Sequence, residues 1–392
     1  MHLQVEFSTD FNIAMKKINN HTRTEISRFI PSTGICEYHA IIHITRPELT
    51  FDQQLSALLD AYDYLLKHEA NGAKAVFKRF FLSDAANQTD LLLATLPENT
   101  ACACSIVEQP PLDGTKIALW VYLQTDVIPQ PFPGRLTGFS HNGYTHLWTG
   151  SRIQYGESSE HQTRLLLNDY LLQLMENGGT LAANCLRTWF FVQNVDVNYA
   201  GVVKARNEVF HTQNLTPETH FIASTGIGGR HADPKVTVLM DAYSVLGISP
   251  EQVRYLYART HLNPTYEYGV SFERGTCVDY GDRRHTFISG TASIDHRGQI
   301  VHPGDVCQQT FRMWENVETL LHEASMEFSD MGALIVYLRD IADYQVVQKL
   351  FQERFPQHPT IIVLAPVCRP GWLIEMECMG VRFTPHPEFR NY

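Results

Sequence analysis

The chain has 392 residues, 44% hydrophobic and 19% charged, with 31 Lys and Arg against 42 Asp and Glu for a formal charge of −11. That length exceeds what one hydrophobic core usually serves, so two or three domains are expected. No apolar run reaches the roughly 18 to 20 residues of a membrane span, and no Lys/Arg cluster exists to neutralise phosphates, so neither a membrane nor a nucleic acid is the expected partner. The opening MHLQVEFSTD lacks a basic segment leading into an apolar one, which makes the cytoplasm the expected location. Eight cysteines, at 36, 102, 104, 185, 277, 307, 368 and 378, include no CxxC pair. They fit reduced thiols better than a disulfide frame, and the lone CxC of Cys102 and Cys104 is a weak zinc signal.

In chain order, a first pattern occupies 53–124. QQLSALLDAYDYLLKHEA reads as a helix, KAVFKRFFLSD as a strand, the stretch near TDLLLATL as a short helix, and ACSIVEQPPL and TKIALWVYL as strands. The next segment, 125–150, is rich in Pro and Gly and reads as a linker. The same order returns at 162–243, with QTRLLLNDYLLQLMENG, CLRTWFFVQN, YAGVVKARNEVF, THFIASTGI and KVTVLMDAYS. After a longer connection at 246–284, it returns again at 289–380. There the amphipathic helix QQTFRMWENVETLLHEAS follows the turn SGTASIDHRGQIVHPGD, and TIIVLAPV and WLIEMECM close the unit. Residue-level echoes support the repeat: Tyr199 and Phe210 are spaced like Tyr344 and Phe355, and Gln162-Thr163 like Gln309-Thr310.

The run SGTASIDHRGQIVHPGD, with QT, ENVETLLHEAS, VYLRDIADYQVV and IEMEC, closely resembles the Rid (YjgF) family over about 90 residues. Rid proteins are trimers with clefts between subunits. The resemblance therefore implies an α+β fold of tandem Rid/YjgF-like (chorismate mutase-like) units arranged as a pseudo-trimer. On this reading residues 1–135 are a divergent first unit, 136–250 a second, 251–284 a connecting segment contributing to the pocket, and 285–392 a third unit bearing the catalytic glutamate. The arginine that Rid imine deaminases place before the penultimate strand is replaced, since HPTIIVLAPV has Thr360 and Ile361 there. The first and second units lack it too.

The longer pattern resembles the chorismatases, Rid relatives with several units in one chain. Their RxW, TGIG and FxRG segments, and a Cys seven residues before a Glu, read here as Arg187-Thr-Trp189, Thr225-Gly-Ile-Gly228, Phe272-Glu-Arg-Gly275, and Cys368 with Glu375. The resemblance implies cleavage of the enolpyruvyl ether of chorismate to pyruvate, with Glu375 as general acid. Cys368 with Gly275 resembles the subtype that releases 3-hydroxybenzoate.

The residues support the chemistry on their own terms. On the strand Leu373–Glu377, Glu375 faces opposite Ile374 and Met376, and an apolar cleft would keep its proton on. The corresponding positions of the other units, Leu239 and an apolar residue of KIALWVYL, predict a single armed cleft. Arg206, Arg274, Arg339 and Arg369 are candidates for a dicarboxylate, with Arg274 and Arg339 the preferred pair, because guanidinium forks match carboxylates. Tyr199 and Trp189 would line the pocket. No metal, nucleotide or other cofactor is indicated, and the expected partner is the small dicarboxylate alone, with the chain a monomer containing its own pseudo-trimer or a homo-oligomer. The rival readings are a Rid-like enamine or imine deaminase and a non-catalytic binding protein that has kept the fold.

Overall fold

In the computed structural model, which describes residues 10–16, 18–97 and 101–392, the chain builds three six-stranded sheets. The first comprises β1 (Asp10–Lys16), β2 (Thr22–Ile30), β3 (Glu37–Ile44), β4 (Lys74–Leu82), β5 (Ala103–Glu108) and β6 (Ile117–Gln124), with helices α1 (Phe51–Tyr64) and α2 (Ala85–Thr95). The second comprises β7 (Gln130–Phe132), β8 (Leu136–His141), β9 (Tyr144–Arg152), β10 (Cys185–Val192), β11 (Ala223–Gly228) and β12 (Val238–Leu246), with α3 (Ser159–Glu176), α4 (Leu181–Asn184) and α5 (Val195–Thr212). The third comprises β13 (Val253–Leu256), β14 (Gly275–Asp279), β15 (Arg283–Ala292), β16 (Met331–Leu338), β17 (Thr360–Leu364) and β18 (Ile374–Phe383), with α6 (Val306–Glu323) and α7 (Tyr344–Arg354).

Strand order is the same in all three: first, second, third, sixth, fourth, fifth. In each, the fourth and fifth strands run parallel, which demands a crossover, and α2, α5 and α7 supply it. The expected α+β repeat is therefore present, but each unit is larger than its sequence pattern. Residues 125–150, read as a linker, hold β7, β8 and most of β9. Residues 251–284, read as a connecting segment, hold β13 and β14 at the edge of the third sheet. The breaks between sheets fall at 125–129, ahead of the expected boundary at 135/136, and at 247–252, where the second unit was expected to end, so that 251–284 belongs to the third sheet.

One side chain shows how closely the units repeat. The fourth residue of α1, α3 and α6 is a buried glutamine: Gln54, Gln162 and Gln309. Each donates through Nε2 to carbonyls of the preceding loop: Leu49 at 3.0 Å, Gly156 at 3.1 Å and His302 at 3.1 Å. Each accepts through Oε1 a backbone N–H just before the last strand, from Lys116 (2.8 Å), Thr237 (2.8 Å) and Leu373 (2.9 Å). A buried amide is tolerated because both its donor and its acceptor are satisfied.

The helices cover one face of each sheet, α1 and α2 over one apolar cluster and α3 and α5 over another. The opposite faces meet in a shared core, in which Phe77, Trp189 and Tyr337 come one from each unit. The central strands are consequently covered on both sides, which is why β3, β6, β10 and β16 are buried along their whole length.

Candidate active site

The ladders place Glu375 relative to its counterparts. Leu338 pairs with Ile374, as Val192 does with Val238 and Leu82 with Ile117, so Glu375 corresponds to Leu239 and Ala118. All three are buried, but only the third unit sets a carboxyl there. Its cleft lies between the second and third units, walled by α5 and β11 on one side and by β15, β18 and the 265–274 segment on the other.

Glu375 is 5% exposed. Burial raises its pKa from 4.5 to about 8, and the neighbouring carboxylate of Glu377 adds to the rise, while Arg274 and Arg187 oppose it. The carboxyl is therefore largely protonated at neutral pH, as a proton donor must be. Gly290 makes room for it, since a Cβ at that position would collide with Glu375 Oε1. Gly226 likewise lets the Tyr199 ring lie against β11, because a Cβ there would sit 2.6 Å from Tyr199 Cε2.

Two residues along β18, and on the same face, Glu377 is held quite differently. It accepts from Arg187 Nη2 (2.6 Å), Trp189 Nε1 (2.7 Å) and the Thr225 hydroxyl, with Arg79 Nη1 at 3.5 Å. Arg79 also donates to Asp241 at 2.9 Å. This buried knot draws on the first unit (Arg79), the second (Arg187, Asp241) and the third (Glu377). Two carboxyls a pleat apart are thus held differently, Glu377 by side-chain donors from two other units and Glu375 kept neutral by burial.

Three of the four candidate arginines meet in the cleft. Arg206, 1% exposed on α5 and seven residues after Tyr199, lies 5.9 Å from the Phe272 ring centre, and its Nε and Nη2 have no protein partner among the described residues. Arg274, 4% exposed, donates to the Asn263 carbonyl at 2.9 Å and keeps Nε unpaired. Arg369 packs 4.7 Å over Tyr268 and 5.0 Å over Trp372. Buried guanidinium groups with unused N–H are expensive unless an anion occupies the space they face.

Arg339 departs from the expectation. It pairs with Asp196 and donates to the Val367 carbonyl at 2.8 Å, outside the cleft, so it braces the Cys368 loop instead of facing the pocket. Trp189 holds Glu377 and does not line the cavity, and Gly275 lies within the β14–β15 ladder, where a Cβ would press on Leu256 and the Phe287 carbonyl. Cys368 and Tyr199 do line the cleft; burial pushes the Cys368 thiol up to about 12, so it is a neutral thiol and not a nucleophilic thiolate. Tyr268 was not singled out from the sequence. The 3-10 turn Thr265–Tyr268, closed by Gly269 at φ 83, brings it against Arg274 and Arg369.

The other two positions are chemically distinct. At the junction of the first and second units, Leu239 is fully buried, and Gly150 lies so close that a Cβ would be 2.6 Å from the Cys104 carbonyl. The junction of the third and first units is open and is lined by a different set of polar groups.

These features define a single-chain assembly of three repeated α+β units with one inter-unit cleft carrying a neutral carboxylic acid and three arginines. A family model described as Endoribonuclease L-PSP matches residues 278–382. A RutC family protein from Pyrococcus abyssi is 33% identical over 99 residues, covering 24% of this chain and 77% of the relative, and the chain belongs to that family through its third unit. The 3-aminoacrylate deaminase RutC of Acinetobacter baylyi is 29% identical over 92 residues, 23% of this chain and 73% of the relative. Among solved structures, a chorismatase aligns over 78% of this chain and 92% of its own with a TM-score of 0.62 at 17% identity, so the likeness to it extends to the three-unit fold. Among the described residues, no helix is long and apolar enough to cross a membrane, and no cluster of three metal-ligating side chains forms.

Proposed function

We propose that this cleft cleaves the enolpyruvyl ether of chorismate, with Glu375 donating a proton to the vinyl methylene carbon and Arg206, Arg274 and Arg369 receiving the two carboxylates. The observation that carries this reading is a protonated carboxyl facing the same cavity as buried guanidinium nitrogens without partners. Proton transfer turns the vinyl ether into an oxocarbenium ion, and Glu375 becomes a carboxylate that stabilises the developing cation. Breaking the ether C–O bond then releases pyruvate. If water attacks the oxocarbenium carbon, the other product is a dihydrodiol and one water is consumed. If the adjacent ring hydroxyl attacks that carbon instead, the cyclic ketal opens with cleavage of that hydroxyl's ring C–O bond and loss of the neighbouring ring proton, and pyruvate and 3-hydroxybenzoate form with no water consumed.

Cys368 favours the aromatic product. Cys368 lines the cleft, and together with Gly275 it is the pair that resembles the 3-hydroxybenzoate-releasing subtype. An imine deaminase is less well supported. The position where Rid deaminases carry arginine is Thr360–Ile361 in the third unit and Ser224–Thr225 in the second, and Thr225 is committed to Glu377.

The test is incubation with chorismate, coupled detection of pyruvate and chromatography of the aromatic fraction. Pyruvate with 3-hydroxybenzoate, both lost in Glu375→Gln, is expected. Pyruvate with a dihydrodiol overturns the product assignment, and no pyruvate overturns the reaction.

A further inference from the structure

The cleft between the third and first units repeats the geometry of the candidate active site with its charges reversed. Register fixes the equivalences. Ile288 pairs with Cys378 and Gly275 just as Ala40 pairs with Val121 and Ile26, which sets Glu25 where Arg274 stands. His43, opposite Ala118, stands where Ala292 does opposite Glu375. The bridges Pro111–Val363 and Ile227–Val367 align the two closing loops, so Asp113 takes the place of Arg369. On the helices, Tyr344 matches Tyr199 and Phe351 matches Arg206, and all of these residues line the two cavities.

The armed cleft therefore has three arginines around a neutral acid, whereas its counterpart has two carboxylates where two of those arginines stand and a phenylalanine in place of the third. Its single arginine, Arg23, already lies 3.3 Å from Glu25. Glu25 also receives the Thr360 backbone N–H at 2.9 Å and has His43 Nε2 at 3.3 Å. Those contacts, with the charges of His43 and Arg23 outweighing burial, hold the Glu25 carboxyl below its ordinary range, so it is ionised at neutral pH. Asp113 accepts from Thr115 through Oδ1, whereas its Oδ2 has His43 Nδ1 only at 3.9 Å, beyond hydrogen-bond reach, and the side chain is 25% exposed. The facing wall carries Tyr344, Phe351 and Phe355, interspersed with Gln348, Gln352 and His358.

We infer that this cleft is a second small-molecule site, selective for an organic ammonium ion with an apolar or aromatic body. The ammonium sits at Asp113 and Glu25, and the hydrocarbon lies against the α7 aromatics, with cation–π attraction contributing. A dicarboxylate is excluded, since it would face two carboxylates where the other cleft offers two guanidinium groups. This site does not depend on the reaction proposed for the first.

The test uses the full chain and measures binding. Crystals are soaked, and calorimetric titrations run, with 2-phenylethylammonium chloride, with 3-phenylpropionate as the anion of matched shape, and with phenylalanine as the zwitterion. The ammonium compound is expected in the cleft with its nitrogen on Asp113 Oδ2, weakened at least about 10-fold by Asp113→Asn and again by Glu25→Gln. Asp113→Asn changes a partly exposed side chain and keeps the test open if Glu25→Gln folds poorly. Phenylalanine binding more tightly than the amine supports the site and assigns its carboxylate to Arg23. Phenylpropionate binding there as well as the amine does, or no ammonium density and no heat up to about 10 mM, overturns the inference.

Discussion

Glu375→Gln should make the protein more stable as the pH rises, because the acid that serves the chemistry is costly to the fold. Its pKa is raised from 4.5 to about 8 in the folded chain. Between those values the unfolded chain has released the proton and the native chain still holds it, so native stability falls by 1.36 kcal/mol per pH unit across the window. This contribution is absent below about pH 4.5, reaches about 3 kcal/mol at pH 7 and levels off near 5 kcal/mol above pH 8, as a ceiling. Glutamine has nearly the same shape and no proton to lose. The difference between variant and wild type should thus be small at pH 4.5 and grow steadily to pH 8. Urea unfolding followed by tryptophan fluorescence reads it directly, since Trp189 is hydrogen-bonded to Glu377 in the same core. At a slope of about 3 kcal/mol per molar urea, the midpoints should separate by about 1 M at pH 7. Midpoints that stay parallel from pH 5 to pH 9 would show that Glu375 ionises normally, and the general-acid role would fall with it.

Arg206→Met should raise KM for a carboxylate substrate by roughly 10²-fold, from loss of two charge-assisted hydrogen bonds, without lowering the melting temperature. A destabilised variant would instead mean that Arg206 serves the fold. Gly290→Ala should retain the fold's circular dichroism and lose most activity, because its methyl group displaces the Glu375 carboxyl; unchanged kcat/KM would contradict that packing. Arg187→Met leaves Glu377 buried with a missing partner and should cost about 3–5 kcal/mol, with much of the loss recovered in the double variant Arg187→Met, Glu377→Leu. Independent, additive losses would argue against a coupled pair. Cys368 should resist alkylation by iodoacetamide at pH 8, since its thiol titrates near 12; labelling as fast as a free thiol would refute that.

The facing of Glu375 was legible in the sequence because a period of two is strict. Once β18 was recognised, Glu375 had to face away from Ile374 and Met376, and its counterpart Leu239 followed from the repeat, while the strand register was needed to single out Ala118 within KIALWVYL. Tyr199, Arg206, Arg274, Arg369 and Cys368 were named as candidates and do meet in one cleft. Arg339 was misjudged because adjacency to a motif gives position along a strand end but not direction, and Asp196 on α5 captures it. The opening strands of each unit were invisible for two reasons. β3, EYHAIIHI, is covered on both faces and so does not alternate, while the QPFPGR run across β7 and the following turn has the composition of a linker. Glu377 has the same charge and faces the same side of the strand, so the sequence alone does not distinguish it from Glu375. What separates them is a set of donors from two other units, brought together only by the fold.

The covalent joining of three units changes what a single substitution can do. In a trimer of identical subunits, each change appears in every cleft at once. A carboxyl suited to one cleft would then be buried three times, at a cost near 5 kcal/mol for each copy above pH 8. Here the three copies of that position have parted ways into Ala118, Leu239 and Glu375, and the fold bears the burden once. The same independence let Arg274 and Glu25 diverge at a shared position. The knot of Arg79, Arg187, Asp241 and Glu377 ties the three units together, because each of its ion pairs joins residues from two different units. Duplication within one chain thus gives a symmetric ancestor's scaffold three separately inheritable clefts.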